Sequence, residues 1–135
     1  MGSPGIRKAL GSDPKRPTAL IHVRVSNILL TDEAFEDLAA LQRSDLKEAE
    51  SILRRVDALK TSLVADALHG EVVRNSAIPM GLKARYDISN LYVEDLPAFW
   101  RLLYTIARTA GVPRVTVLRV VNHHTYSRWF PGRRR

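Results

Sequence analysis

The patterning of the chain predicts an α+β fold, with an N-terminal strand and a helical hairpin packed on a small antiparallel sheet. Three observations carry that expectation. Residues 21–26 alternate apolar with polar, residues 31–70 repeat apolar positions every three to four residues, and residues 100–108 and 114–122 are two apolar or β-branched runs. The order of strand, two helices and then antiparallel strands is that of a sandwich. A helical hairpin is expected to cover one sheet face and leave the other open.

Residues 1–17 hold three glycines and three prolines and no sustained apolar period, so they read as a disordered basic arm preceding a single domain over 18–135. From Ala19, Ile21, Val23 and Val25 alternate with His22, Arg24 and Ser26, the period of a half-buried first strand. His22 there reads as solvent-facing or structurally bonded. Thr31 is placed to cap a helix, Asp32 and Glu33 suit its positive end, and Phe35, Leu38 and Leu41 fall along one side until a stop near Arg43. Ser44 offers a second cap. Leu46, Ala49, Ile52, Val56, Leu59 and Leu63 then continue the spacing to Gly70, predicting a second helix of about 24 residues. The acidic residues of this hairpin read as a solvated outer face.

Ile78-Pro79-Met80-Gly81 argues for a loop over 71–81, and the mixed segments 82–87 and 90–96 read as a pair of edge strands. From Trp100, both alternating sets are apolar, as in a central strand. Ala110-Gly111-Val112-Pro113 supplies the turn, and 114–122 is the clearest strand of the chain. The tail 123–130 reads as one or two helical turns, with Tyr126, Trp129 and Phe130 spaced to close the core.

At 135 residues with 45% hydrophobic composition, the chain is long enough to bury a core. The absence of cysteine excludes disulfides, thiolate metal sites and a cysteine nucleophile. No apolar run approaches the roughly 20 residues that cross a bilayer, and the first residues lack a signal-peptide core. A cytoplasmic protein with no membrane partner is therefore expected. The net charge of +7 is uneven: residues 1–30 carry +4, 31–60 carry −3, 61–100 carry −2 and 101–135 carry +8. All eight charges of the last segment are arginine, whose planar fork suits phosphate. An anionic partner, nucleic acid or acidic protein, follows.

The chain has no glycine-rich phosphate loop, G-x-S-x-G or HExxH. Instead Arg101, Arg119, His123, His124, Tyr126 and Arg128 cluster near its end. If 100–108 and 114–122 pair across the turn, Arg101 and Arg119 project to one face, close to the start of the tail. Metal-free RNA cleavage needs such groups: an acid and a base for the 2′-hydroxyl and the leaving oxygen, a cation for the phosphorane charge, and rings to stack bases. Histidine titrates near neutral pH and fits the first role. A structural reading stands beside this one, with Arg101 paired to Glu94 or Asp95 and Arg119 on a solvated strand face. Adjacent histidines point apart and no carboxylate lies near them in sequence, so neither a metal nor any other cofactor is expected.

Leu68-His69-Gly70, the Ile78-Pro79 loop, Leu96-Pro97-Ala98-Phe99-Trp100-Arg101-Leu102-Leu103-Tyr104-Thr105-Ile106 and His123-His124-Thr125-Tyr126 resemble the RelE/ParE toxin superfamily, over residues 19–130. The resemblance implies a helical hairpin over an antiparallel sheet. It also implies an mRNA endonuclease acting at the ribosome or, in the ParE branch, an inhibitor of DNA gyrase, restrained by an antitoxin. On the same basis, Arg101 matches the arginine of the central strand and Tyr126 the C-terminal tyrosine of the nuclease branch. Lys83 and Arg85 lie where that branch has basic phosphate-binding residues. Asn122-His123-His124 departs from the arginine that many of those nucleases carry before the tyrosine. The expected catalytic set is thus Arg101, Arg119, His123, His124 and Tyr126, with Lys83, Arg85 and Arg128 binding RNA. The expected partners are mRNA, the ribosome and an acidic or amphipathic antitoxin.

Overall fold

The computed structural model describes residues 23–25 and 27–132. The expected arm, His22 and most of the strand expected from Ala19 lie outside the described residues, as do Arg133, Arg134 and Arg135. Among the described residues the elements run β1 (Ile28–Leu30), α1 (Asp32–Arg43), α2 (Ala49–Ala65), β2 (Glu71–Val72), α3 (Met80–Tyr86), β3 (Tyr92–Asp95), β4 (Arg101–Thr109), β5 (Val112–Val121) and α4 (His123–Trp129). Single 3-10 turns at Ala67–His69, Asn75–Ala77 and Pro97–Phe99 connect them. The strands form one five-stranded sheet in the order β1-β5-β4-β3-β2. β1 is parallel to β5 and every other pairing is antiparallel. The fold is therefore α+β, as the patterning predicts, and no helix among the described residues is long and apolar enough to cross a membrane.

The first strand lies later than the alternation suggests. Residues 23–25 form no strand and bond to the end of α2: Val25 N–H donates to the Val64 carbonyl at 3.1 Å, and Ala67 N–H to the Val23 carbonyl at 2.7 Å. Pairing with β5 falls instead to the apolar run Ile28–Leu30. There the chain turns at once into α1. Thr31 Oγ1 accepts from Ala34 N–H at 3.0 Å and donates to the Leu118 carbonyl at 2.7 Å, so one side chain caps the helix and closes a ladder group of β5. Ala34 and Leu41 face the core, whereas Phe35, one residue out of phase, is 61% exposed.

The second helix is shorter than its periodicity implies, because Asp66 breaks it. Its extended backbone ends α2, and its carboxylate accepts from Leu68 N–H at 3.0 Å to start a separate 3-10 turn. Ser44 accepts from Leu46 N–H in the preceding connection and does not cap α2. Of residues 82–87, expected as an edge strand, 82–86 are helical and Asp87 caps the helix: Ile78, Leu82 and Tyr86 recur every four residues and turn one stripe inward. The expected loop over 71–81 also contributes β2, which pairs with β3.

Both sheet faces are covered, not one. Against the α1–α2 hairpin pack Leu102, Tyr104, Val115, Val117 and Val120. Against α3 and α4 pack Val93, Leu103, Leu118 and Val121, together with Leu82, Tyr126 and Phe130. A β-bulge serves both. Leu103 pairs with Arg119 but Tyr104 with Val117, so Leu118 is an extra residue on β5. Odd-numbered residues face the hairpin before it and even-numbered ones after it.

Candidate functional site

Helix α4 begins where β5 ends. Asn122 Oδ1 accepts from Thr125 N–H at 2.8 Å and fixes its first turn. Tyr126 and Phe130 form its buried side, their rings stacked at 4.7 Å. Two arginines of the sheet then meet two rings of this helix. The Arg101 guanidinium lies 4.9 Å from the centre of the Tyr126 ring, and that of Arg119 lies 5.3 Å from the centre of Trp129. The two arginines share a face, as the strand pairing predicts.

Their surroundings differ. Arg101 is 2% exposed, its Nε stands 3.2 Å from Asp95 Oδ1, and its Nη1 donates to the Trp100 carbonyl at 3.1 Å. The structural reading of Arg101 thus holds, with Asp95 as the partner rather than Glu94. Glu94 instead stands 2.6 Å from His69 Nδ1. Tyr126 is equally buried, so this tyrosine and Arg101 form an interior support for α4 and do not line an open surface. Arg119 is partly exposed and reaches a cleft between α3 and α4.

That cleft, of about 410 Å³, is lined by Arg85, Tyr86, Arg119, Arg128 and Trp129 over a floor of Pro79 and Leu82. Three arginines and two rings from α3, β5 and α4 converge there. His124 lies one turn before Arg128 on the exposed side of α4, and residues four apart on a helix are surface neighbours. His123 turns elsewhere. Its ring packs 5.8 Å from Phe99, and its Nε2 is 3.4 Å from Ser127 Oγ. Lys83 is half-buried and outside the cleft lining, since two residues along α3 place it roughly 200° around the helix from Arg85. A second cleft of about 270 Å³, lined by Asp37, Ser44, Trp100, Asn122 and Thr125, shares Arg119 with the first.

The acidic face of α1, expected to be solvated, supplies partners to this site. Asp37 holds Arg119 by two bonds, Nε to Oδ2 at 2.8 Å and Nη2 to Oδ1 at 3.1 Å, and also accepts from Val120 N–H at 2.8 Å. Glu33 accepts from Arg85, and from the Tyr86 hydroxyl at 3.0 Å. The Arg85 bond holds the Glu33 carboxyl below the usual glutamate range, and Glu33 raises Arg85 in turn. Asp37 likewise raises Arg119, and burial pushes the Tyr86 phenol up. Of the three cleft arginines, Arg128 alone has no ion-pair partner among the described residues. No group of three or more histidine or acidic side chains that could hold a metal stands among the described residues.

Sequence reasoning missed Glu33, Asp37 and Tyr86, and assigned Trp129 to the core alone. The spacing of Glu33 and Asp37, four apart on the first helix, marks them as neighbours, but nothing local shows that they meet arginines 52 and 82 residues away.

No family model matches the sequence, and no curated protein matches it significantly. Among solved structures, a YoeB/ParE toxin from Agrobacterium tumefaciens is 17% identical, over 73% of this chain and 99% of that one, with a TM-score of 0.46. A likeness of that size carries no argument about activity. The helical hairpin over a largely antiparallel sheet is observed in the chain itself.

Proposed function

We propose that this chain is the toxin of a toxin–antitoxin pair and a metal-independent endoribonuclease that cuts mRNA at the ribosome. The observation that carries the reading is the α3–α4 cleft, where Arg85, Arg119 and Arg128 converge with Tyr86 and Trp129, one helical turn from His124. The resemblance of the Trp100-Arg101-Leu102-Leu103-Tyr104 and His123-His124-Thr125-Tyr126 motifs supports it independently. In this mechanism the arginines hold the phosphodiester and take up the charge of the phosphorane, and the rings stack a base splayed from the strand. His124 takes the 2′-hydroxyl proton as that oxygen bonds to phosphorus, the bond from phosphorus to the 5′ oxygen breaks to leave a 2′,3′-cyclic phosphate, and the departing 5′ oxygen takes its proton from solvent water. Arg101 and Tyr126 act from the interior by holding α4 in place, and His123 braces its first turn against Phe99.

The test is cleavage of mRNA with and without ribosomes, with 5′ ends mapped. His124→Ala is expected to slow cleavage about 100-fold or more, and Arg128→Ala to weaken substrate binding. Undiminished cleavage in both variants overturns the site. Induction is expected to arrest growth, with relief by an acidic or amphipathic protein encoded nearby. The carboxylates on Arg85 and Arg119 favour one further reading, a ParE-like toxin that binds a protein target such as DNA gyrase without catalysis. Growth arrest with no RNA cleavage in either setting selects it.

A further inference from the structure

Glu33 and Asp37 stand one turn apart on the same side of α1, and each ends on an arginine of the α3–α4 cleft. The two contacts are chemically those a phosphodiester would make. Arg119 presents its Nε and Nη2 edge to both Asp37 oxygens, the fork geometry by which arginine grips a carboxylate or a phosphate alike. Arg85 is bound by a carboxylate that also holds Tyr86, a ring of the same cleft. Donor groups that an incoming backbone would use on Arg85 and Arg119 are therefore already taken up by two oxyanions.

We propose that Glu33 and Asp37 are affinity-determining residues of the cleft: they occupy Arg85 and Arg119 as internal anions, and a single-stranded RNA gains those two arginines only by displacing them. Arg128 then makes the first phosphate contact. This inference rests on the nucleic-acid reading of the cleft. It adds that the acidic turn of α1 restrains binding and does not merely brace the fold. Charge explains the restraint, since two of the three cleft arginines are each held by a carboxylate of α1 from outside the cleft lining, and only Arg128 is left over for a ligand. Geometry explains why displacement is feasible. Arg85 is 60% exposed, and the pair it forms with Glu33 is of the surface kind that contributes little and competes readily with other anions.

The experiment is binding of a fluorescent single-stranded oligoribonucleotide across a salt series, to the wild-type chain, Glu33→Gln, Glu33→Gln with Asp37→Asn, and Arg128→Ala. Glu33→Gln removes the charge and leaves the acceptor for Tyr86. It is expected to tighten binding roughly two- to five-fold. The double variant is expected to bind tighter still, with log K falling more steeply against log salt by about 0.7 for each arginine that gains a phosphate. Asp37→Asn also disturbs the bond from Val120 N–H, so Glu33→Gln alone decides if the double variant melts early. Arg128→Ala that weakens binding, with the Glu33 variant unchanged or weaker in affinity and unchanged in slope, overturns the proposal and leaves the cleft reading standing. Arg128→Ala that binds as the wild type does, or a wild-type chain that binds no RNA, overturns the cleft reading and the proposal with it.

Discussion

Tyr104 shows how one side chain ties the hairpin to the sheet. Its hydroxyl accepts from Gly70 N–H at 2.9 Å and donates to the Ala67 carbonyl at 2.7 Å, and its ring stacks on Tyr92 at 5.2 Å. Gly70 is glycine because a Cβ there would stand 2.8 Å from that hydroxyl oxygen. Tyr104→Phe is expected to cost about 1–2 kcal/mol by leaving a buried carbonyl and N–H unpaired, and Gly70→Ala about 1–3 kcal/mol by crowding, both measured by chemical denaturation. Burial pushes the Tyr104 phenol well above the usual tyrosine range. Its native form is thus the protonated one. The associated stability is complete below the tyrosine range of the unfolded chain and declines as pH rises above it, and Tyr104→Phe removes that alkaline sensitivity. At this scale the sequence was partly legible. The cationic residues of the cleft could be singled out by composition, but whether an arginine is buried, as Arg101 is, or half-open, as Arg119 is, depends on which helix ring lands on it. The spacing of Tyr126 and Phe130 signalled an inward stripe on α4, and that spacing outweighs the tyrosine's chemical suitability for catalysis.

Among the elements, the β4–β5 hairpin has the most exposed local cost. Its two-residue turn puts both Ala110 and Gly111 at positive φ, +53° and +80°. Glycine adopts this freely and alanine does not, whereas asparagine tolerates it. Ala110→Asn is expected to raise stability by about 0.5–1 kcal/mol and to leave cleavage and binding untouched, as read by thermal melting beside an activity assay. The hairpin and α1 were legible because turn and cap residues mark them, Ala110-Gly111 and Thr31, whereas the Asn122 cap of α4 passed as the end of the preceding strand. Residues 82–87 were not legible, because the seven residues of α3 hold fewer than two helical turns and a mixed composition fits an edge strand as well. The stripe that decides the matter begins at Ile78, ahead of the helix itself. The alternation before Ser26 failed for a different reason. A period of two records which side of an extended chain is covered, and at 23–25 the covering element is the end of α2.

The whole molecule is a three-layer arrangement in which one sheet carries two cores. Leu102 and Tyr104 face the hairpin while their neighbour Leu103 faces α3 and α4, so each central strand contributes to both. Leu59→Ala in the hairpin and Leu103→Ala on the opposite face are each expected to lower stability by about 2–5 kcal/mol. Both should shift a single unfolding transition observed by circular dichroism and by tryptophan fluorescence, with no separate loss of α4. The second layer escaped the sequence because it is assembled from short pieces, α3, α4 and the connections beside them, none of which has a strong period alone. The carboxylates of the site escaped in the same way, since they come from α1 while the cations they hold come from other elements.

The extra residue at Leu118 can be viewed as a phase shifter between these two halves. Upstream of it Val115 and Val117 look toward the hairpin, and downstream Arg119 and Val121 look toward α4. Deleting one residue there would leave composition, charge and hydropathy almost unchanged, yet it would set the end of β5 against the opposite layer. Either Arg119 would turn into an apolar interior, or the strand would slide by one place and carry Asn122, and with it the start of α4, out of reach of Tyr126's partners. The cleft is in this sense counted as well as shaped, because its chemistry depends on the parity of a strand. Length variation is therefore far less tolerable between Thr116 and Asn122 than at the exposed Ala110-Gly111 tip of the same hairpin.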